Sequence, residues 1–175
     1  LHIYLKAMRS VANAIACLTS VPLTDRRFLL DFPDRTQRLS MPGLSGGLVD
    51  LIVPVEPIEP NWEAWLADWR TDFTMLQKHQ NLPIKYSNGR MAYYEKAIEG
   101  LRETNQQAAL WILLWTWTEI SALLSSNGSQ VVAYSDFCRL LALGSDQLQE
   151  RAAAMDAYLD VVEESIDRWS QQNGV

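Results

Sequence analysis

From Ala108 to Trp117 the chain carries apolar side chains at almost every position. Coiled as a helix, Ala108, Leu110, Trp111, Ile112, Leu113, Leu114, Trp115 and Trp117 point in every direction around the axis. A helix that is apolar all round sits at the centre of a protein, surrounded by other elements. Asn105 is placed to cap it, and Ser126-Asn127-Gly128 to end it. The unbroken run Ala108 to Trp115 is less than half of what a membrane span needs, and Glu119 follows soon after, so no membrane is expected.

The other segments read as partners for that central helix. Leu5, Met8, Ala12, Ile15 and Leu18 keep helical spacing over Leu1 to Ser20, and Pro22 forbids continuation. Trp62, Trp65, Trp69, Phe73 and Leu76 form one stripe of a helix from Asn61 to Gln80. A helix follows from about Arg90 to Glu103, with Met91, Tyr94, Ile98 and Leu101 inward, and Gly100 in it is expected to admit a close neighbour. Ser135 is expected to cap a short helix stopping at Gly144, and Ser145 to cap the last one. There Leu148, Ala152, Met155, Leu159, Val162, Ile166 and Trp169 step by four and three as a bundle seam, closed by Gly174.

Residues 22–60 differ, with six of the seven prolines and Gly43, Gly46 and Gly47. A short helix from Thr24 to Asp31 with Thr24 as N-cap fits there. Leu48 to Val53 reads equally as helical turns or a short strand. The pattern predicts an all-α fold: one antiparallel helical bundle-like domain of five to seven helices over residues 1–175. An irregular Pro/Gly-rich connection follows the first helix and wraps the others. Because the sequence begins at Leu1, it is expected to be a fragment of a longer protein.

Charge narrows the partners. The net charge is −6, yet residues 1–40 hold six Lys and Arg against three Asp. An acidic chain without a long basic stretch is a poor match for nucleic acid, so none is expected. Cys17 and Cys138 form no CxxC and no disulfide framework. Both lie in apolar segments and read as buried free thiols, which suits a reducing cytoplasm.

Few constellations carry chemistry. Asp156, Asp160, Glu163 and Asp167 each follow a seam residue and share one face of the last helix. Such a ridge reads either as a solvated face or as a wall for a cationic small molecule or basic partner. Glu119 lies four residues after Trp115 in the most apolar helix. Its carboxylate must emerge on a polar strip with Thr116, or be paired, or titrate abnormally as a general base would. The Trp stripe reads as core first and stacking platform second. Gly43-Leu44-Ser45-Gly46-Gly47 lacks the ending of a phosphate loop and reads as a turn. Arg26-Arg27 could hold a phosphate, though paired arginines on a surface turn are commoner. No complete catalytic motif is present, His2 and His79 are the only histidines, and neither a metal nor a cofactor is expected. The binding candidates are therefore Glu119, Trp115, Asp156, Asp160 and Glu163.

Ala108-Ala109-Leu110-Trp111 with Thr116-Trp117-Thr118, and Leu159-Asp160 through Trp169 to Gly174-Val175, carry a resemblance. The layout resembles the helical C-terminal region that follows a nucleotidyltransferase domain in many bacterial proteins. The resemblance implies a preceding domain holding the catalytic Gly-Ser and paired aspartates, so no catalytic residue carries over. A related helical nuclease family uses an Arg followed closely by His in one helix, and neither His2 nor His79 has that neighbour. The implied function is the ligand- or partner-binding half of a larger bacterial protein. The alternative is a helical interaction module, possible as a homodimer, without catalytic activity.

Overall fold

The computed structural model describes residues 1–53, 59–80 and 82–174; Pro54, Pro57 and Val175 lie outside them. Among the described residues there are eight α-helices and no strand, so the fold is all-α. They are α1 (His2–Cys17), α2 (Phe28–Arg38), α3 (Gly43–Asp50), α4 (Trp62–Leu76), α5 (Arg90–Leu101), α6 (Gln106–Ser126), α7 (Val132–Leu140) and α8 (Leu148–Asn173). Two 3₁₀ turns, Asp25–Arg27 and Ile84–Tyr86, punctuate the connections.

α6 is the central element. Asn105 caps it, its Oδ1 accepting from the Ala108 N–H at 3.0 Å. Every residue from Ala108 to Thr118 is buried, with α2, α4 and α5 packed around it and α1 and α7 closing the remainder. At 21 residues α6 is long and apolar enough to cross a membrane by length and composition, but 78% of that apolar window is covered by the other helices. The Trp stripe of α4 is core: Trp65 is buried, and Trp69, Phe73 and Leu76 are fully so. The indole N–H of its deepest Trp is satisfied internally. The Trp69 indole N–H donates to Thr116 Oγ1 at 3.1 Å, and Thr116 Oγ1 donates to the Ile112 carbonyl at 2.7 Å.

The connection after α1 is more helical than its prolines and glycines suggest. α2 runs to Arg38 with Pro33 inside it, past the expected stop at Asp31. An interior proline costs about 3 kcal/mol. Phe28 and Phe32 are both fully buried, and each contributes about 1.5–3 kcal/mol, so packing outweighs the break. The Thr24 side chain makes no capping bond. The glycine cluster forms α3 instead of a turn, because Leu44 and Leu48 have a core to reach. Gly47 is needed there: a Cβ would lie 3.1 Å from the Tyr158 ring of α8. Tyr158 donates its hydroxyl to the Leu44 carbonyl at 2.8 Å. Leu48 to Val53 becomes the end of α3 and a turn.

Five further expectations are corrected. Ser135 lies within α7, donating to the Val131 carbonyl at 3.3 Å, and α8 starts after Gln147 with no side-chain cap. Cys17 is exposed, on the outer side of α1, whereas Cys138 is buried and its thiol is pushed up to about 11 by burial. Gly100 faces open space rather than a close neighbour. On α8 the deepest residues are Met155, Tyr158, Val162 and Ser165, and Ala152 is exposed. Arg151 then ties three elements together, donating to the carbonyls of Asp50 at 2.9 Å and Ala142 at 3.2 Å. Its planar fork suits converging carbonyls at helix ends.

Candidate functional site

The second half of α6 carries two different polar surroundings. The first belongs to Glu119, whose side chain is only 12% exposed. Its two oxygens are both engaged, by Lys85 Nζ at 2.5 Å and the Tyr86 hydroxyl at 2.5 Å. Both donors come from the 3₁₀ turn after Pro83, closed by the Tyr86 N–H to the Pro83 carbonyl at 2.8 Å. Tyr86 is buried against Phe73, and burial, reinforced by the Glu119 hydrogen bond, pushes its phenol far above the usual value. Glu119 therefore does not emerge on a polar strip with Thr116, which is itself buried beside Trp69. A carboxylate held by an ammonium and a buried phenol is a structural acceptor, not a free base.

Trp115 lies one turn earlier and is 3% exposed. It stacks on Trp111 with centroids 5.5 Å apart, and the Arg9 guanidinium covers its ring at 5.4 Å. Arg9 pairs with Asp25 at 2.8 Å, and the Asp25 carbonyl accepts the Trp111 indole N–H at 3.0 Å. Neither Trp115 nor Glu119 lines a main cavity among the described residues.

The second surrounding is a cleft of about 510 Å³ between the start of α1, the second half of α6 and the segment leading into α7. Thr118, Ser121 and Ser125 step by three and four, so they project from one side of α6 into it. Gln130, Tyr134 and His2 face them. No Asp, Glu, Lys or Arg lines the cleft. The Tyr134 hydroxyl donates to Thr118 Oγ1 at 2.9 Å.

Ser121 is the unusual member. It is 4% exposed, and its Oγ has no hydrogen-bond partner among the described residues. Helical serines and threonines commonly bond the carbonyl one turn back, as Ser165 does to Val161 at 2.7 Å. Ser121 does not, although an unpaired buried polar group costs about 1–3 kcal/mol. His2 Nε2 is likewise buried and unpartnered, and its ring meets Trp115 edge-on at 6.2 Å. Burial, then the nearby Lys6, holds this imidazole below its ordinary value, so it is neutral at neutral pH.

Asp156, Asp160 and Glu163 are exposed on α8, as is Asp167, and share no bond or main cavity with Glu119 or Trp115. The five residues singled out in the sequence are thus not brought together, except that Trp115 and Glu119 are one turn apart on α6. Among the described residues no three His, Cys, Asp or Glu side chains gather to hold a metal ion. His2, Thr118, Ser121 and Tyr134 escaped the sequence reading. The signal that could have found them is the hydroxyl stripe Thr118, Ser121, Ser125 on a helix otherwise apolar all round. No protein-family model, curated protein or solved structure matches this chain.

Proposed function

We propose that this chain is a helical binding module that takes a small, uncharged, hydroxyl- or amide-bearing molecule in the cleft between α1, α6 and α7. One observation carries the reading: Ser121 lines that cleft, and its buried hydroxyl has no hydrogen-bond partner among the described residues. A ligand oxygen or amide would complete its hydrogen bonding, and that of the neutral His2 ring. Wall chemistry supports an uncharged occupant, since no Asp, Glu, Lys or Arg side chain lines the cleft to offset an ion's desolvation. The sequence resemblance adds a partner to the proposal: a preceding bacterial nucleotidyltransferase-like domain that performs the chemistry while this half holds the molecule. A reducing cytoplasm belongs to the same proposal, and the free thiols of Cys17 and Cys138 support it.

The test is a melting-temperature survey with sugars, polyols and nucleosides, with spermidine as the cationic competitor. A ligand at about 100 times its Kd stabilises by about 2.7 kcal/mol, which a melting curve resolves. A neutral compound is expected to raise the midpoint of the native protein. Ala122→Phe, which narrows the cleft from an exposed position, abolishes that rise. Ser121→Ala weakens it while leaving the free protein as stable or more so. A rise given only by spermidine, and lost in Asp156→Asn/Asp160→Asn/Glu163→Gln, would move the site to the acidic ridge and defeat the proposal. Failure of every neutral compound would do the same.

A second reading is self-association. Exposed Leu140 and Val161 flank a groove of about 780 Å³ between α3, α7 and α8, an apolar rim suited to a second copy. Sedimentation should then show a concentration-dependent dimer that Val161→Lys dissociates; a strict monomer at high concentration would remove this reading.

A further inference from the structure

A separate cluster lies across the molecule's other connection, where the 3₁₀ turn Asp25–Arg27 and the start of α2 meet α5. Arg26, Arg27 and Lys96 line a cavity of about 270 Å³ there, and no acidic side chain does. Its remaining walls are Leu30, Ala97, Leu101 and Gly100. At Gly100 a Cβ would meet nothing within 4 Å, so the glycine leaves the cavity open rather than admitting a neighbouring helix. Beside the cavity, one turn back from Lys96 on α5, stands Tyr93, 41% exposed. Two guanidinium groups converge on its ring, Arg26 at 4.9 Å and Arg90 at 5.2 Å from the centroid.

Of the nearby cations, Arg9 is paired with Asp25 and Arg27 with Asp31, the latter through two hydrogen bonds at 2.9 and 2.7 Å. Arg26, Arg90 and Lys96 have no carboxylate within 4.0 Å among the described residues. A protein with a net charge of −6 thus holds three uncompensated cations around one ring and one apolar hollow. Like charges gathered at this spacing repel, and the tyrosine face offsets only part of that. An anion seated between them would relieve it. Arginine's planar donors match phosphate oxygens, and lysine adds a point charge.

We infer that this hollow is an anion site for a small phosphomonoester, with Arg26 and Lys96 holding the phosphate and Leu30, Ala97 and Leu101 packing against a compact apolar group. The inference stands apart from the hydroxyl-lined cleft, since the two share no lining residue.

The experiment is calorimetric titration of the chain with phenyl phosphate, inorganic phosphate and benzyl alcohol. Phenyl phosphate is expected to bind at least tenfold more tightly than inorganic phosphate, and benzyl alcohol not to bind. Arg26→Gln/Lys96→Gln should weaken phenyl phosphate at least tenfold, while Arg168→Gln on α8 leaves it unchanged. Gly100→Leu fills the hollow from an exposed helical position and replaces glycine with a better helix former, so it does not endanger folding. It should abolish the preference for phenyl phosphate over inorganic phosphate. Undiminished binding in the double variant, equal binding of the two phosphates by the native chain, or an unchanged preference in Gly100→Leu would each overturn the assignment.

Discussion

Trp117 donates its indole N–H to Asp72 Oδ2 across 2.7 Å, from the most buried helix to the inner face of α4. Asp72 is 8% exposed, and burial is the main reason its carboxyl titrates above the usual range, with nearby Asp68 adding to it and the Trp117 bond opposing. A raised native value means that Asp72 favours folding fully only below its unfolded value of 3.8, and that this contribution is lost as pH rises through the native value. At pH 7 the buried charge is therefore a burden. Asp72→Asn keeps an acceptor for Trp117 without the charge and should be neutral or stabilising by up to about 1 kcal/mol at pH 7. Urea unfolding at pH 7 and pH 4 checks it: the gain should shrink at pH 4. Asp72→Leu strands the indole N–H and should cost about 1–3 kcal/mol.

The Glu119 and Tyr86 pair predicts a coupling. Glu119→Ala leaves a buried phenol without an acceptor and should cost about 1–3 kcal/mol. Tyr86→Phe leaves Glu119 with Lys85, which is 39% exposed and free to follow it, and should cost about 1 kcal/mol. If the hydrogen bond carries the loss, the double variant in a thermodynamic cycle falls short of the sum. Strict additivity would show that the two side chains act independently.

Gly46 and Gly47 are adjacent in α3 but should respond oppositely to alanine. Nothing lies within 4 Å of a Cβ at Gly46, so Gly46→Ala should stabilise by about 0.5–1 kcal/mol through helix propensity. At Gly47 the Tyr158 ring stands 3.1 Å away, and Tyr158 is fixed by its bond to Leu44. Gly47→Ala should instead destabilise by about 1–2 kcal/mol, within the cost of overpacking. Thermal midpoints of the two variants decide it.

Three buried tyrosines and the partly buried Tyr134 set the alkaline limit of the fold. Tyr4 and Tyr158 donate to the Leu51 and Leu44 carbonyls, Tyr134 to Thr118 and Tyr86 to Glu119. Burial pushes Tyr4 up to about 12 and raises the other three further. Their contribution is complete below the unfolded value of 10.0 and lost as pH climbs toward the native values. Stability should be flat to about pH 10 and then fall by about 1.4 kcal/mol per pH unit for each such tyrosine. Urea unfolding between pH 8 and pH 11 measures the slope, and Tyr158→Phe should make it shallower.

The helical elements were legible where packing and periodicity agree. The Trp stripe and the run to Trp117 named both helices, and Asn105 the cap of the second; that Asn61 caps α4, accepting from the Ala64 N–H, was not read from the sequence. Two things misled. Pro33 and the Gly43 to Gly47 cluster signal breaks locally, yet Phe28, Phe32, Leu44 and Leu48 have enough core to bury that both stretches stay helical. Such tertiary contacts cannot be read from neighbours in sequence. Ser135 and Ser145 look like caps, but Ser135 sits inside α7 with its hydroxyl bonded one turn back, and Ser145 lies in the turn before α8 without capping it. At the candidate site, Glu119 and Trp115 were visible as exceptions in an apolar helix. The charge that neutralises Glu119 comes from Lys85, 34 residues away, and the hydroxyl cleft needs α1 and α7 folded against α6. Hydroxyls carry no charge pattern, so Thr118, Ser121 and Ser125 drew no notice beside the louder carboxylates of α8.

The sharpest trial of the proposed binding role is a set of amide nitrogen–proton spectra recorded while the neutral compound that best raises the melting midpoint is added. Peak movements should cluster at Thr118, Ser121, Ser125 and Gln130 to Ser135, and vanish in Ala122→Phe. Movements confined to the α8 ridge of Asp156, Asp160 and Glu163, or a spectrum unmoved at saturating compound, would contradict the assignment of the cleft.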